Sequence, residues 1–474
     1  MMTECNLESF GFHALGRRDV VARFDGGRIS SDAGGLLLRE TERVTGIIGQ
    51  FSACFTDHRN PDLIEHTVEE LVAQRVYALA LGYEDLNDHD DLRHDPLLAV
   101  LVGKKDPLGR TRGRRRDRGK ALAGKSTLNR LELTPVRADA KSRYKKITLD
   151  RQAVQCLFTD VFIQSHKRPP KRIVLDLDAT DDPIHGHQSG RFFHGYYKNY
   201  CYLPLYIFCG EHLLCARMRP SNIDASAGSV KELDRIVGRI REWWPHVEIV
   251  IRGDSGFCRE AIMAWCEANN VDFVLGLAKN KRLTQEIESE LAQAKCRFDA
   301  TQQPARIFKG FRYRTRASWS RSRRVIGKAE HLAKGANPRF VVTSLSAEAF
   351  DARSLYEKEY CARGEMENRI KEQQLCLFAD RTSAATLRAN ELRLWFSSIA
   401  YTLMNALRRL GLKDTSMARA RCDTIRLKLL KIGAQVRVTV RKVWVSMSES
   451  CPYRHIFRQV YDHLVGLRPI FLRC

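Results

Sequence analysis

The chain has 474 residues with a formal net charge of +23, and 44% of its residues are hydrophobic while 28% are charged. This composition is typical of a soluble globular protein of roughly two to four domains. No apolar run approaches the roughly 18 residues of a membrane-spanning helix. The excess of arginine and lysine indicates a polyanionic partner, nucleic acid above all, although a basic housekeeping protein or a binder of ribosomes or membrane surfaces would share it.

Neither the N-terminal segment nor the cysteines indicate secretion or a zinc site. Met1–Gly16 lacks the basic and apolar regions of a secretory signal, which predicts a cytoplasmic, nucleoid-associated protein. The 14 cysteines are scattered without a C-x-x-C pair, and they therefore predict reduced thiols rather than a zinc site.

Residues 1–103 are predicted to form a helical DNA-binding region. A helix start is predicted at Ser30–Leu38, and Thr67–Leu81 repeats apolar residues at helical spacing. The acidic stretch Glu84–Asp95 contains two histidines, and a solvated loop is preferred there over a metal site.

A basic arm is predicted at residues 104–126, followed by a helical connector at 127–170. Lys104–Lys120 has nine basic residues against two acidic ones. It suits sequence-independent contact with phosphates, the alternative being a disordered solubilising linker. The arginines expected to bind DNA there are Arg114, Arg115 and Arg116.

Gly119–Ser126 matches the G-x-x-x-x-G-K-S pattern of a P-loop. That motif requires a buried strand before the loop, and the arginine-rich residues before it cannot form one. Nucleotide binding is therefore not predicted.

Residues 171–280 and 346–390 are predicted to form an α/β catalytic domain. Three strands, a helix, a strand, a helix and a strand follow one another, an order that resembles the ribonuclease-H-like fold. The predicted strands are Ile173–Asp178, Phe192–Gly210, Leu213–Met218, Val247–Asp254 and Phe273–Leu277, and the helices are Ser226–Trp244 and Arg259–Asn269.

The remaining segments predict an insertion and a C-terminal region. Residues 281–345 are short, basic and strand-rich and predict an inserted β subdomain, with strands at Arg306–Trp319, Arg323–Ala329 and Arg339–Leu345. Glu348–Phe378 predicts one long helix. Residues 391–474 predict a helical and basic C-terminal region.

Three carboxylates carry the predicted chemistry. Phosphodiester transfer needs a clamp for two divalent cations, and Mg²⁺ or Mn²⁺ prefers carboxylate oxygens. Asp178 ends the first predicted strand, Asp254 ends the fourth, and Glu367 lies near the middle of the long helix. Aspartates at the ends of adjacent strands project from one sheet edge, so the three side chains are expected to converge. Asp176 points the same way as Asp178 and stays an alternative first ligand.

The helix of Glu367 has a basic face. Arg363 and Lys371 each lie four residues from Glu367, and Tyr360 lies beside them. Such a face suits a helix that grips scissile DNA, and the alternative is an exposed helix with i,i+4 ion pairs.

These residues resemble a known family. Tyr360-x-x-Arg363-x-x-x-Glu367 is similar to the tyrosine–arginine–glutamate–lysine signature of insertion-sequence DDE transposases, most closely insertion-sequence family 1380. The likeness covers nearly the whole chain, best from Lys171 to Ala434. Gln374 stands where the signature expects lysine, and Lys371 is the candidate replacement. Further segments similar to the family pattern are Leu175–Gly186, Arg252–Phe257, Arg363–Lys371, Leu392–Leu410 and Arg426–Lys431.

The resemblance implies a metal-dependent DNA transposase. Asp178, Asp254 and Glu367 would be the catalytic residues and the ligands of two Mg²⁺ or Mn²⁺ ions. The residues expected to bind DNA near the cut are Tyr360, Arg363, Lys371 and Trp319, with Phe311 as a second candidate for stacking on an unpaired base. Trp319 packed inside the insertion is the alternative. The histidines near the first aspartate, interpreted as DNA-positioning or loop residues rather than zinc ligands, are His185, His187 and His194.

The expected partners are double-stranded DNA, both terminal inverted repeats and target, and a second copy of the chain in a synaptic complex. Two other functions share the same residues. One is a ribonuclease-H-like nuclease without strand transfer, and the other is a non-catalytic DNA-binding protein derived from a transposase.

Overall fold

The computed structural model describes residues 9–469. Predictions for the first eight and last five residues lie outside the described residues. The described chain divides into two compact units: the terminal unit, up to Leu149 and from Ile399 onward, and the central unit, Asp150–Ser398. Within residues 9–469, no helix combines the length and apolar character needed to cross a bilayer.

The chain is a mixed α/β protein. The α-helices in chain order are α1 Gly35–Thr45, α2 Ile47–Ser52, α3 Val68–Leu81, α4 His89–Leu92, α5 Pro96–Val102, α6 Lys125–Glu132, α7 Arg151–Gln164, α8 Ser229–Trp243, α9 Glu260–Ala268, α10 Lys281–Glu286, α11 Glu288–Thr301, α12 Ala352–Ser354, α13 Gly364–Leu377, α14 Leu387–Leu410, α15 Cys422–Ile425 and α16 Arg454–Val465. The strands are β1 Ser9–Leu15, β2 Arg18–Arg23, β3 Ile29–Ser30, β4 Phe55–Asp57, β5 Ile147–Leu149, β6 Arg172–Ala179, β7 Asp182–Pro183, β8 Phe192–His194, β9 Asn199–Tyr202, β10 Leu205–Cys209, β11 His212–Arg217, β12 Glu248–Gly253, β13 Asp272–Leu277, β14 Ala305–Tyr313, β15 Arg323–Leu332, β16 Gly335–Ala336, β17 Arg339–Thr343, β18 Ala434–Val438 and β19 Val443–Met447.

The described part of the terminal unit begins with an exposed antiparallel hairpin of β1 and β2, where the sequence predicted helix. Phe10 and Phe12 alternate with small or polar residues, a strand pattern, and Gly16 supplies the left-handed turn with φ of 65°. Helices dominate only after this hairpin.

Two helix starts predicted in this unit are found in the structure. The prediction for α3 is confirmed, because Thr67 and Glu70 form a capping box before a helix that ends at Leu81. The start predicted within Ser30–Leu38 is found at Gly35, where α1 begins, although no side chain caps it. A Cβ on Gly34 would lie 1.9 Å from the carbonyl oxygen of Leu429, so only glycine permits this close approach of two backbones.

The loop between α5 and α6 contains the residues of the predicted basic arm. Part of it is tied to the unit, because Arg112 donates to Glu65 Oε2 over 2.8 Å and to His66 Nε2 over 2.7 Å. The loop contains a 3-10 helix, Arg115–Asp117, and no strand leads from there into α6. The P-loop pattern therefore lacks the strand that its function requires.

The central unit is built on a large mixed sheet with strand order β11-β10-β6-β12-β13-β17-β15-β14, in which β16 pairs with β15. β6, β12 and β13 are parallel, whereas β10 runs antiparallel to both β11 and β6, and β17 runs antiparallel to β13. An extensive core cluster packs on the sheet, with fully buried side chains that include Leu175, Leu177, Ile207, Ile251 and Phe273.

The strand-rich segment 281–345 extends this sheet instead of forming a sheet of its own. β17 pairs with β13, and Leu275 lies opposite Val342, both fully buried. The three strands β14, β15 and β17 thereby bury apolar residues against the same core as β13. A separate sheet would leave these residues without a partner layer.

The helix predicted as continuous over Glu348–Phe378 runs without interruption from Ala352 to Leu377, but its type changes along its length. After α12 the chain forms a π-helix at Leu355–Tyr360 and a 3-10 turn at Cys361–Arg363, and α13 follows. Leu355 and Tyr356 are buried in a cluster on the sheet, and the wider π turn allows both side chains to face it.

Candidate active site

Two strands and one helix supply side chains to a single pocket of about 590 Å³ in the central unit. Asp178 lies near the end of β6, Asp254 directly follows β12, and Glu367 lies in the first turns of α13. Because β6 and β12 are parallel neighbours, their carboxyl ends meet at one sheet edge. The structure thus brings together the three carboxylates singled out in the sequence.

The two aspartates of β6 have different environments. Asp176 is buried and forms a bidentate pair with Arg252, with Nη2–Oδ2 at 2.7 Å and Nε–Oδ1 at 2.5 Å. Asp178 lines the pocket, whereas Asp176 does not. Of the two alternatives, only Asp178 therefore offers its carboxylate to a bound molecule.

Arg363 lies between two of the carboxylates. Its Nη2 is 2.6 Å from Glu367 Oε1, and its Nη1 is 3.6 Å from Asp178 Oδ2. The guanidinium thereby places a positive charge beside the carboxylates at this edge of the pocket.

Asp254 is fixed by a tight turn. Its Oδ1 accepts a hydrogen bond from the amide of Gly256 over 2.8 Å. A Cβ on Gly256 would lie 3.0 Å from the same oxygen, so the glycine leaves room for the carboxylate. Phe257, which is buried in the core, holds the end of this turn.

The pKa of Asp178 is raised to about 7. Burial is the largest cause, and the negative charges of Asp254 and Glu367 raise it further, whereas Arg363 and a hydrogen bond from the backbone of Ala179 lower it. The guanidinium of Arg363 does not offset the cost of burying the Asp178 carboxylate, so a further positive charge in the pocket would be stabilising.

The sequence profile of the family described as Transposase DDE domain group 1 matches residues 12–469. The chain belongs to this family of DDE transposases. No curated protein matches it.

Of two further predicted residues of the transposase, Lys371 lines the pocket and Tyr360 lies behind the residues that line it. The exposed Lys371 lines the pocket one turn after Glu367. Tyr360 lies over β13, since a Cβ on Gly276 would come within 2.5 Å of its hydroxyl. Burial raises the pKa of Tyr360, while the charge of Arg363 lowers it.

The other predicted DNA-binding residues lie elsewhere. Trp319 is 4% exposed and packs edge-on against Tyr313 with centroids 5.8 Å apart, which is the alternative stated for it. Phe311 lines a different pocket of the central unit. In the terminal unit, Arg114 and Arg116 line a basic pocket, and Arg115 lies in the 3-10 helix between them.

Sequence reasoning missed two aromatic residues that line the same pocket. Tyr196 and Tyr197 come from the turn between β8 and β9, within a segment predicted as one continuous strand, whereas His194, one of the histidines named near the first aspartate, lines the pocket from the end of β8. The signal was the aromatic density of this segment, together with Gly195, which favours a turn. Gln374 also lines the pocket.

The donor set fits a divalent cation in chemistry, because carboxylate oxygens are the ligands that Mg²⁺ and Mn²⁺ prefer. The raised pKa of Asp178 is consistent with such a ligand, since a bound cation would stabilise the ionised carboxylate. Among residues 9–469, however, no group of three or more His, Cys, Asp or Glu side chains is assembled closely enough to hold a metal ion.

Proposed function

We propose that this transposase catalyses divalent-metal-dependent DNA strand cleavage and strand transfer at the ends of an insertion sequence. The observation that carries the proposal is the convergence of Asp178, Asp254 and Glu367, from three separate elements, on one pocket of a DDE-family chain. The tyrosine–arginine–glutamate spacing supports insertion-sequence family 1380 as the subgroup.

The strand order supports a ribonuclease-H-like catalytic core. In chain order, β6, β10, β11, β12 and β13 are arranged as 3-2-1-4-5, with the second strand antiparallel to the first and the last two parallel to it. This arrangement sets the ends of the first and fourth strands side by side, where the proposed chemistry needs two carboxylates.

Asp178, Asp254 and Glu367 are the proposed ligands of Mg²⁺ or Mn²⁺, two ions in the full assembly. When bound, such ions activate a hydroxyl nucleophile and neutralise charge on the reacting phosphate. The protein's own contribution is to position the acids: the Gly256 amide holds Asp254, and Arg363 bridges Asp178 and Glu367.

The cations of the pocket are proposed to bind the DNA backbone. Arg363 and Lys371 present positive charge on the helix of Glu367, and Tyr360 adds a hydroxyl whose raised pKa keeps it a hydrogen-bond donor. The arginines around Arg114 in the terminal unit suit sequence-independent phosphate contact. A homodimer that pairs two DNA ends in the nucleoid completes the proposal.

Cleavage and joining assays test the proposal directly. The purified protein, with Mg²⁺ and duplex DNA carrying the inverted repeats that flank its gene, should nick the repeat ends and join the resulting 3′-hydroxyl to target DNA. Asp254→Asn and Glu367→Gln should abolish both steps, whereas Glu365→Gln, an exposed acid on the same helix, should leave both intact.

Two results would separate the proposal from other functions. Cleavage without joining would indicate a nuclease. DNA binding without cleavage by the wild-type protein would indicate a non-catalytic DNA-binding protein. Asp254→Ala should retain or increase DNA affinity, because it removes negative charge near phosphate, and full cleavage by this variant would overturn the assignment of Asp254.

A further inference from the structure

A small antiparallel sheet follows, in the chain, the strand that carries Asp178. β7, β9 and β8 form it within the connection from β6 to β10. The turn between β8 and β9 carries two adjacent tyrosines, Tyr196 and Tyr197, and Lys198 closes it with φ of 56°. Both tyrosines line the pocket that contains Asp178, Asp254 and Glu367.

Tyr197 anchors this turn. Its hydroxyl donates a hydrogen bond to the carbonyl oxygen of Ala179 over 3.1 Å, directly after Asp178. Burial raises the pKa of Tyr197, and the nearby charges of Asp181 and Asp178 raise it further, so the hydroxyl remains a donor. The turn is thereby fixed to the strand that carries the first carboxylate.

Tyr196 is held in place but left open. Its ring meets Tyr197 edge-on with centroids 5.0 Å apart and planes at 88°, and 84% of the residue is exposed. A ring this exposed, at the rim of a pocket, leaves a flat apolar surface in water.

The same hairpin offers further aromatic surface and positive charge. Phe193 and Tyr200 are direct cross-strand partners, 57% and 49% exposed, and the guanidinium of Arg191 lies 4.7 Å from the Tyr200 ring centre. From Gly190 to Tyr200 the sequence contains Arg191 and Lys198 but no acidic residue. Exposed rings interleaved with cations complement a nucleic acid strand, whose bases stack and whose phosphates are anionic.

We propose that Tyr196 stacks on an unpaired base of the DNA strand that enters the pocket, an inference that rests on the proposed function of that pocket. Bases within a duplex have both faces covered by their neighbours, so only a base at a frayed or opened end can use this ring. The role expected of Trp319 is thereby assigned to a residue that is exposed and lies at the carboxylates.

Equilibrium DNA binding tests this assignment without any catalysis. The full-length chain carrying Asp254→Asn is titrated, without divalent metal, into two labelled probes: a blunt duplex, and the same duplex with a few unpaired nucleotides at one 3′ end. Adding Tyr196→Ala should weaken binding of the unpaired probe by about five- to a hundredfold and leave the blunt probe unchanged. Tyr196→Phe should bind as the parent does. Tyr461→Ala, a control at another exposed tyrosine, should also have no effect.

Three results would overturn the inference: equal loss of affinity for both probes, no loss for either, or a Tyr196→Phe variant as weak as Tyr196→Ala. The first would indicate general backbone contact, and the last would indicate a contact made by the hydroxyl. Failure of the proposed function is seen separately, because it would appear as wild-type protein that neither cuts nor joins DNA.

Discussion

Replacing Asp178 by asparagine should stabilise the metal-free protein while it abolishes activity. The carboxyl is buried beside Asp254 and Glu367, and its pKa is about 7 in the folded protein against an ordinary value of 3.8. A folded-state pKa above the unfolded one means that ionisation opposes folding, so the wild type loses stability as the pH rises from about 4 to about 7.

The magnitude follows from the size of the shift. About three pKa units correspond to roughly 4 kcal/mol, and because the side chain is 17% exposed we expect about 1–4 kcal/mol. Asparagine has the shape of the carboxylate but no charge to desolvate. The extra stability of Asp178→Asn over the wild type should therefore be absent near pH 4, grow as the pH rises from about 4 to about 7, and level off above about pH 7.

Urea unfolding in EDTA at a series of pH values measures this difference. Added Mg²⁺ should raise the unfolding midpoint of the wild type and leave that of Asp178→Asn nearly unchanged, because only a state that binds the ion gains stability from it. Glu365→Gln is the matched control and should show neither effect. If Asp178→Asn were the less stable protein at about pH 8 in EDTA, the attraction to Arg363 would outweigh burial, and the reasoning would be refuted.

Three further predictions concern other buried polar groups. Arg252→Ala should destabilise the protein by about 3–5 kcal/mol in urea unfolding, because it removes the partner of the buried Asp176. Arg252→Lys should recover part of this stability, and an unchanged unfolding midpoint in Arg252→Ala would contradict the prediction. Burial and neighbouring cations lower the pKa of His66 from 6.5 to about 3, so the wild type should lose stability as the pH falls from about 6.5 to about 3. His66→Gln should flatten this pH dependence of the free energy of unfolding, and an identical slope in both proteins would contradict the prediction. Gln374→Ala removes a hydrogen-bond donor to the buried Asp182 and should cost about 1–3 kcal/mol, seen as a lower melting temperature that Gln374→Glu does not restore.

Short-range patterns were enough to locate the acids of the site. Strand-length apolar runs that end in aspartate placed Asp178 and Asp254 at strand ends, and the four-residue spacing placed Arg363 beside Glu367, where the structure has a 2.6 Å ion pair. The capping box before α3 was equally local. In each case the residues that decide the structure are neighbours in sequence.

Pairings between distant residues were beyond reach of the same reasoning. Nothing in the sequence near β17 indicates that this strand pairs with β13 and continues the central sheet. The pairing depends on buried partners far away in the chain, such as Leu275 and Val342, which are 67 positions apart. The choice between Asp176 and Asp178 stayed open for the same reason. The difference in their environments depends on Arg252, which pairs with Asp176 across 76 positions of the chain.

The departure at Gln374 from the family signature follows from its contacts. Gln374 lies two turns after Glu367 on α13, and its Nε2 donates to Asp182 Oδ1 over 2.9 Å and to the carbonyl oxygen of Asp181 over 3.3 Å. Asp182 is fully buried, and burial raises its pKa well above the ordinary value, so its neutral form is favoured. A neutral amide suits such a partner, whereas an ammonium group there would have to be desolvated against it. The position therefore ties the segment after β6 to the helix of Glu367, and Lys371 is the exposed lysine of that helix that lines the pocket.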